Sequence, residues 1–260
     1  MDDCEQGVRP PRGAGFGDDM ESKGKLLLVL IPTVSLTKSS YFVAPSQTAS
    51  LHTKPDGDNF DDEFICISDV EWAKRPLIEW PDPCKCRPDR NGCCVVGKCE
   101  LVAQQVECPP ECPVGAMCRN KRIQNKQWKK VGVFDAGLKG RGLMVLERCK
   151  RGELVIEYLG VEVPRQTSEP MQYLLRLDGN VHIDASHRGS LARYINHSCE
   201  PNCVVERWRV AGVTRAGIFA KRVIREGEEL TFDYQWDAVP GRDKTPCHCG
   251  ARTCRQTIQR

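Results

Sequence analysis

The spacing of apolar and polar residues changes near residue 131 and divides the chain into two unlike parts. Beyond that point short apolar runs recur between turns, and Asp178-Gly179-Asn180 predicts a hairpin between two of them. Residues 190–195 predict one short helix. Many short strands with little helix predict a mostly β fold. The predicted strands cover residues 131–134, 143–147, 154–159, 173–177, 181–184, 204–210, 217–221 and 229–234.

The part before residue 131 shows little such periodicity. Residues 1–60 are rich in Gly, Ser, Thr and Pro and predict a disordered leader, although residues 26–34 could form one strand. The apolar run at residues 26–31 is too short to span a bilayer, so no membrane partner is expected. Residues 61–80 mix acids with large apolar side chains and predict an arm that packs on the remainder of the chain.

The chain has 16 cysteines among 260 residues and a net charge of +3. A secreted, disulfide-rich protein could have this many cysteines, but the amino terminus lacks a basic region followed by an apolar segment. Outside an oxidising compartment, clustered cysteines predict metal ligands. We therefore expect an intracellular zinc protein, and the modest charge alone does not predict a nucleic-acid binder.

The densest cysteine cluster lies in a segment that is poor in large apolar residues. Such a segment cannot build a core, and metal coordination would supply the missing folding free energy. Because structural zinc takes four thiolates, eight cysteines could form two separate sites, or seven could hold two ions with one bridging thiolate. The alternative is a set of unrelated buried thiols. The candidate ligands are Cys84, Cys86, Cys93, Cys94, Cys99, Cys108, Cys112 and Cys118.

A basic run without any acid comes next in the chain, at residues 119–130. It could lie along a phosphate backbone, or it could be the solvated face of a helix. Its basic residues are Arg119, Lys121, Arg122, Lys126, Lys129 and Lys130.

Two polar motifs stand among the predicted strands: Arg-Tyr-Ile-Asn-His-Ser-Cys-Glu-Pro-Asn-Cys at residues 193–203 and Glu-Leu-Thr-Phe-Asp-Tyr at residues 229–234. A polar cluster between apolar runs predicts a loop on a rigid scaffold, where binding residues tend to lie. Together the motifs closely resemble the signature of the SET-domain protein-lysine methyltransferases. With its cysteine-rich flanks, the chain from Cys84 to Cys254 resembles the branch that methylates histone H3 at lysine thirty-six.

This resemblance implies a SET β-fold of small sheets with a knot-like carboxy-terminal threading at residues 131–240. An AWS-like (associated-with-SET) zinc module would precede it at residues 81–130, and a post-SET zinc tail would come after it at residues 241–260. The seven-cysteine AWS arrangement leaves either Cys93 or Cys94 as the spare thiol. With the post-SET site, three zinc ions are implied. The post-SET ligands would be Cys199, Cys247, Cys249 and Cys254.

The resemblance also implies S-adenosylmethionine as the cofactor and transfer of its methyl group to a lysine amine. Such an in-line displacement requires collinear N, C and S atoms. It also requires an uncharged amine, which the nearby sulfonium and partial burial favour. Tyr234 and Tyr158 match the family's site tyrosines, although either could be an ordinary sheet tyrosine. The matched cofactor-binding residues are Lys139, Gly140, Arg141, Gly142, Tyr173, Arg193, Asn196, His197 and Tyr234.

Three departures from the family pattern concern the substrate side. Only nine residues, 164–172, stand where relatives carry a longer helical insert, which puts peptide recognition in question. Val161 replaces a common acid. Trp236 replaces Phe or Tyr beside the substrate channel, and its bulk could limit the number of methyl groups added.

We therefore expect a nuclear, chromosome-associated histone-lysine methyltransferase that acts on the H3 tail in nucleosomes, with a possible DNA contact through residues 119–130. The alternatives are a catalytically silent chromatin-binding zinc module, a methyltransferase of a non-histone lysine and, last, a nucleic-acid-binding zinc protein without a cofactor pocket.

Overall fold

The structure is a computed structural model that describes residues 64–74, 76–88, 93–164, 173–238, 240–241 and 243–260. The predicted leader at residues 1–60 lies outside this range, as does most of the segment at 164–172. Helix is scarce: α1 (Glu100–Ala103) is one turn, and Gly115–Met117, Gly137–Lys139 and Leu191–Tyr194 are 3-10 turns. The strands are β1 (Ile65–Cys66), β2 (Val131–Asp135), β3 (Arg141–Val145), β4 (Leu154–Glu157), β5 (Val161–Pro164), β6 (Leu174–Asp178), β7 (Val181–Asp184), β8 (Arg188–Gly189), β9 (Asn196–His197), β10 (Cys203–Val210), β11 (Val213–Ala220) and β12 (Thr231–Phe232).

Within the described ranges, the strands form several small sheets rather than one large one. Two sheets are three-stranded, in the orders β10-β11-β4 and β5-β7-β6. The pairs β2-β3, β1-β8 and β9-β12 form separate two-stranded sheets, and the last two of these are parallel. The predicted mostly β fold of small sheets is confirmed.

The hairpin prediction is also confirmed, because β6 and β7 are joined at Gly179, whose φ is +42°. The strand predicted at residues 229–234 is reduced to Thr231–Phe232. Just beyond it, the backbone N–H of Tyr234 donates to the His197 imidazole instead of a neighbouring strand. Strand β5 was not predicted, since four residues that end in proline give little periodicity.

The main apolar core lies between the sheets and under the polar loop. Leu143, Val145 and Ile218 are completely buried in it. Ile195 and Leu230 belong to the same cluster and are almost fully buried. Since each belongs to one of the two polar motifs, burial of these two side chains fixes both motifs on the scaffold.

The residues at 64–80 contact the β-rich part of the chain. Strand β1 pairs with β8, and Glu71 forms an ion pair with Arg188 and a bridge to Val161. Val70 is buried in the main core. These contacts agree with an arm that packs on the scaffold, while the module boundaries at residues 60, 80, 130 and 240 stay predictions.

The segment at residues 81–130, here called the amino-terminal cysteine module, packs on the outer strands. Its cysteines share an apolar cluster with Leu154, Trp208 and Phe219. Residues 122–126 of the basic run form turns rather than a helix, because Ile123 is buried and its N–H donates to the carboxylate of Glu107. None of the helices in the described ranges is long and apolar enough to cross a membrane.

Candidate active site

The pairing of β9 with β12 brings the two polar motifs together. Asn196 lies opposite Thr231, and His197 lies opposite Phe232, in a parallel ladder. Asn202 reinforces this arrangement, since its side chain donates to the Glu229 carbonyl and accepts from the Thr231 N–H. Residues some thirty positions apart in the chain thus form one site.

Tyr234 lies at the centre of this site. Its hydroxyl donates to the carbonyl of Ile195 at 2.9 Å, and its ring packs against His197, Phe232 and Trp236 with centroid distances of 5.4, 5.0 and 5.1 Å. Burial raises the pKa of the Tyr234 phenol well above its usual value, and the charge of Glu229 adds to this. The group is therefore a neutral hydroxyl at physiological pH.

Tyr158 lies just after β4 and is only 5% exposed. Its hydroxyl donates to the carbonyl of Tyr173 at 2.7 Å. Burial, and after it the nearby Tyr234, raises the pKa of Tyr158. The two tyrosines therefore present neutral phenols whose positions are set by backbone carbonyls.

Asn196 is held by two acceptors. Its amide nitrogen donates to the carbonyl of Arg141 and to the carboxylate of Glu229, both at 3.1 Å. Both amide hydrogens are thereby used, so Oδ1 is the atom with which Asn196 can accept a hydrogen bond from a ligand. Glu229 also forms an ion pair with Lys139 and thus connects the 137–142 loop with β9.

Gly140 and Gly142 in the 137–142 loop are each favoured as glycine, but for different structural reasons. Gly140 has φ +75° and ψ −132°, a conformation that L residues rarely adopt. At Gly142 a Cβ would lie 2.7 Å from the Phe134 ring, so close packing between β2 and β3 already requires glycine there. Arg141 is exposed, and its guanidinium lies 5.9 Å from the Tyr194 ring centroid.

Arg193 is buried among aromatic rings. Its guanidinium lies 4.0 Å from the ring centroid of Tyr173 and 4.3 Å from that of Phe64. It donates to the hydroxyl of Tyr194 and to the carbonyl of Ser186. Arg193 thus orders the wall that carries Tyr173, the residue whose carbonyl holds Tyr158. Its predicted direct contact with a cofactor stays a prediction.

His197 faces the carboxy-terminal tail, residues 243–260. Its Nδ1 accepts from the Tyr234 N–H, and its Nε2 lies 3.5 Å from the sulfur of Cys199 and 3.3 Å from the guanidinium of Arg255. Burial lowers the pKa of His197, and Arg255 and Arg260 lower it further.

Asp233 joins the tail to the site. Its carboxylate accepts hydrogen bonds from the guanidinium groups of Arg255 and Arg260. These bonds overcome the effect of burial and hold the pKa of Asp233 far below its usual value. The backbone N–H of Arg260 also donates to the carbonyl of Trp236, beside Tyr234.

The amino-terminal cysteine module contains two overlapping groups of four thiols. In each group all sulfur atoms lie within 4.8 Å of one another. Neighbouring sulfurs are 3.6–3.9 Å apart, close to the edge of about 3.8 Å expected for a tetrahedron with Zn–S bonds of about 2.3 Å. The donor set therefore fits zinc. The groups are Cys84, Cys86, Cys94 and Cys99, and Cys84, Cys94, Cys108 and Cys112.

Cys93 and Cys94 differ in this arrangement. Cys94, like Cys84, belongs to both groups, but the Cys94 thiol also interacts with Cys118 and so contacts thiols on both sides. Cys93 belongs to neither, and its thiol donates to the carbonyl of Met117 at 3.3 Å.

The third thiol group, here called the loop–tail group, joins the polar loop to the tail and consists of Cys199, Cys247, Cys249 and Cys254. Burial opposes ionisation there, but backbone hydrogen bonds from Cys199 and Ala251 lower the pKa of Cys249 to about 6. Burial raises the pKa of Cys247 to about 12, so it is the mutual distances of the four sulfurs, all within 4.8 Å, that fit a metal ion. These residues could hold one zinc.

Known proteins share this architecture. Residues 140–235 match the SET domain family model. The chain is 40% identical over 212 residues to the H3 lysine-36-specific histone-lysine N-methyltransferase of Schizosaccharomyces pombe. That alignment covers 74% of this chain and 26% of the relative. It is 38% identical over 188 residues to the histone-lysine N-methyltransferase ASHH2 of Arabidopsis thaliana. This second alignment covers 67% of this chain and 11% of the relative.

A solved structure is also similar: KRYPTONITE in complex with mCHH DNA, an H3(1-15) peptide and SAH. It superposes with a TM-score of 0.62 at 26% identity, over 80% of this chain and 50% of that one.

The chain is a SET-domain protein. Within that family, its sequence is similar to the H3 lysine-36-specific histone-lysine methyltransferases at 36–40% identity. The chain spans only 11–26% of the length of the Arabidopsis and Schizosaccharomyces relatives.

Sequence reasoning missed the partners that hold the predicted residues. Glu229 was noticed as part of a motif but was not assigned a role, and Asp233, Arg255 and Arg260 were not singled out. Their one available signal was charge: an acid before and after Leu230-Thr231-Phe232, and arginines in the segment that follows the last cysteines.

Proposed function

We propose that this chain is an S-adenosylmethionine-dependent protein-lysine N-methyltransferase that acts on histone H3 in nucleosomes, at lysine 36. The observation that carries the proposal is the β9-β12 pairing, which puts the half-buried Tyr234 beside His197 and the Ile195 carbonyl. The likeness to histone-lysine N-methyltransferases supports the substrate class.

The cofactor would lie between the 137–142 loop and β9. Asn196 Oδ1 would accept a hydrogen bond from its ammonium group, and Glu229 would hold the Asn196 amide in that orientation. The backbone at Gly140 would approach the cofactor closely, while Arg193 and Tyr173 would form the adjoining wall. When bound, S-adenosylmethionine supplies a methyl group activated by the sulfonium.

Tyr234 and Tyr158 would position the reacting groups rather than remove the proton of the amine. Their raised pKa values keep both hydroxyls protonated, so neither is a good general base near neutral pH. The lysine amine would lose its proton before it enters the channel, and the aromatic walls, including Trp236, would exclude water. Holding the amine in line with the methyl group would supply most of the rate enhancement.

Three zinc ions would complete the protein. Cys94 would bridge two ions in the amino-terminal cysteine module, one with Cys84, Cys86 and Cys99 and the other with Cys108, Cys112 and Cys118. Cys93, which bonds to Met117, would then be the spare thiol. The third ion would be bound by the four thiols of the loop–tail group, Cys199, Cys247, Cys249 and Cys254. We also propose a nuclear, chromosomal location, which imaging of a tagged chain would test.

The test starts with cofactor binding by calorimetry on fully metallated protein, and continues with mass spectrometry of nucleosomes after incubation with cofactor. We expect binding and a methyl mark at H3 lysine 36. Tyr234→Phe, which removes one hydroxyl, should retain cofactor binding and lose most methyl transfer. Metallated protein that fails to bind the cofactor would disprove an enzymatic role and leave a zinc scaffold. Transfer to a non-histone lysine alone would disprove the histone assignment.

A further inference from the structure

Residues 64–71 of the arm are held on the scaffold at two points. The first point is the parallel pairing of β1 with β8. There the Ile65 N–H donates to the carbonyl of His187 at 2.8 Å, and the Ile67 N–H donates to that of Gly189 at 2.9 Å. Because these bonds join main-chain atoms, they fix the backbone at the start of the arm whatever its side chains are.

The second point is Glu71. Its N–H donates to the carbonyl of Gly160, and its own carbonyl accepts from the N–H of Glu162. Its carboxylate accepts two hydrogen bonds from the guanidinium of Arg188, a paired geometry that fixes orientation as well as distance. With both points fixed, the position of Phe64 is set by contacts that its own ring does not make.

The ring of Phe64 covers a buried cation. The Arg193 guanidinium lies 4.3 Å from the Phe64 ring centroid and 4.0 Å from that of Tyr173. Arg193 is only 4% exposed, so little water solvates its charge, and aromatic faces supply part of the stabilisation. The Phe64 ring also meets the Tyr194 ring edge-on, with centroids 6.1 Å apart. Phe64 therefore helps to hold the Arg193 side chain in one position.

Two backbone carbonyls next to these contacts hold the site tyrosines. The carbonyl of Tyr173, whose ring contacts the same guanidinium, accepts from the Tyr158 hydroxyl. The carbonyl of Ile195, which comes shortly after Arg193 in the chain, accepts from the Tyr234 hydroxyl. A shift of Arg193 would thus move the groups that orient both phenols.

We propose that Phe64 is a positioning residue for the candidate active site. Its ring holds the Arg193 guanidinium and thereby orders the wall of Arg193 and Tyr173 beside which the cofactor would lie. Phe64 precedes the cysteine module and lies outside residues 140–235, which match the SET domain family model. The effect on the cofactor rests on the proposed function, whereas the ordering of the wall does not.

The first test is calorimetry with S-adenosylmethionine on the full, zinc-loaded chain. Phe64→Leu keeps an apolar side chain but loses the aromatic face, and should raise the dissociation constant about threefold to tenfold with unchanged stoichiometry. Phe64→Tyr keeps the face and should retain most of the affinity. The matched control is Ile65→Ala, which changes the next side chain of the arm, 49% exposed, and should bind as the unchanged protein does.

Hydrogen exchange without cofactor is the second test. The backbone amides of residues 173–178 and 191–197 should exchange at least about threefold faster in Phe64→Leu than in Ile65→Ala or the unchanged protein. Should Phe64→Leu fail to fold, Phe64→Met replaces it, since methionine also lacks an aromatic face.

Equal exchange in Phe64→Leu and Ile65→Ala would overturn the proposal, as would equal affinity of the two variants in a protein that binds the cofactor. A loss of affinity in Phe64→Tyr as large as that in Phe64→Leu would also overturn it. So would a lower stoichiometry at an unchanged dissociation constant, because that is the result of a general loss of stability. Failure of the proposed function differs from these results: the unchanged protein would bind no cofactor, while Phe64→Leu would still exchange faster.

Discussion

The amino-terminal cysteine module and the carboxy-terminal tail are attached to the same sheets in different ways. The module shares an apolar cluster with Leu154, Trp208 and Phe219. The Arg122 guanidinium lies over both neighbouring aromatic rings, 4.8 and 4.7 Å from their centroids. The tail is attached by hydrogen bonds and ion pairs to Asp233. The first attachment is part of the core, while the second is a polar contact beside the candidate active site.

This difference has a consequence for metal binding. All cysteines in the two amino-terminal groups except Cys86 are buried, whereas the four thiols of the loop–tail group are half-buried. Loss of metal from the module should therefore unfold the protein, while loss of metal from the tail should disable the site and leave most of the fold intact.

The largest expected effect comes from a change at Cys94. Because its thiol lies in both groups, Cys94→Ser should remove both ions and with them a binding free energy of about 10–16 kcal/mol for each structural site. We expect insoluble or unfolded protein, measured by circular dichroism and zinc content. Cys93→Ser is the matched control and should keep its zinc. Folded Cys94→Ser protein with full zinc content would contradict the bridging role.

The second effect separates activity from folding. Cys254→Ser should remove the tail zinc and abolish methyl transfer, because the tail contacts Trp236 and Asp233 at the site. The melting temperature of the core should fall by only a few degrees, as expected for a cost of about 1 kcal/mol. Unchanged methyl transfer in this variant, or after mild chelation, would mean that the tail is no part of the site.

The third effect tests the apolar attachment. Arg122→Ala removes a half-buried guanidinium from two aromatic faces and should lower the free energy of unfolding by about 2–3 kcal/mol. Denaturant titration measures it. Arg122→Lys keeps the charge but loses planar stacking, so an intermediate loss is expected. If both variants were as stable as the unchanged protein, the contact of the guanidinium with the two rings would contribute little to stability.

The fourth effect tests the polar attachment. Asp233→Asn should weaken the hold on Arg255 and Arg260 and lower cofactor affinity by about tenfold, since one or two charge-assisted hydrogen bonds contribute about 1.5–3 kcal/mol. Calorimetry measures the affinity. Asp237→Asn, a neighbouring acid, is the control. If both variants bind the cofactor normally, the carboxylate does not position the tail.

The fifth effect concerns pH and tests the buried carboxyl of Glu157 in β4, which belongs to neither attachment. Burial outweighs the ion pair with Arg215 and raises the pKa of Glu157 from 4.5 to about 7. Between these values the unfolded chain is ionised while the folded protein keeps the proton. The stabilisation present below pH 4.5 is thus lost as pH rises through 7.

Melting temperatures from pH 5.5 to 8 measure this dependence. Glu157→Gln should be less sensitive to pH over this range, whereas Asp69→Asn, which changes the exposed partner of Arg215, should keep most of the slope. If the melting temperature of Glu157→Gln changed with pH as much as that of the unchanged protein, a group other than Glu157 would be responsible.

Much of the fold and site was accessible from sequence because it depends on local patterns. Apolar alternation located β2, β7 and β10 to within about one residue, and Asp178-Gly179-Asn180 gave the hairpin. Cysteine spacing predicted thiol groups that could hold zinc, and such groups are present. The two polar motifs predicted where the candidate site would be. Each of these signals lies within a short window of the chain.

Tertiary structure decided what depends on residues far apart. Only the fold shows that Cys94 rather than Cys93 lies in both thiol groups, that Arg193 is packed between Phe64 and Tyr173, and that Gly142 is required by Phe134. It also pairs Cys149 with Ile224 in an antiparallel bridge. Sequence by itself therefore determined which chemistry the chain carries, because residue types and short spacings encode it. Long-range packing decided which side chains contact one another, since burial and hydrogen bonding join segments that no local pattern connects.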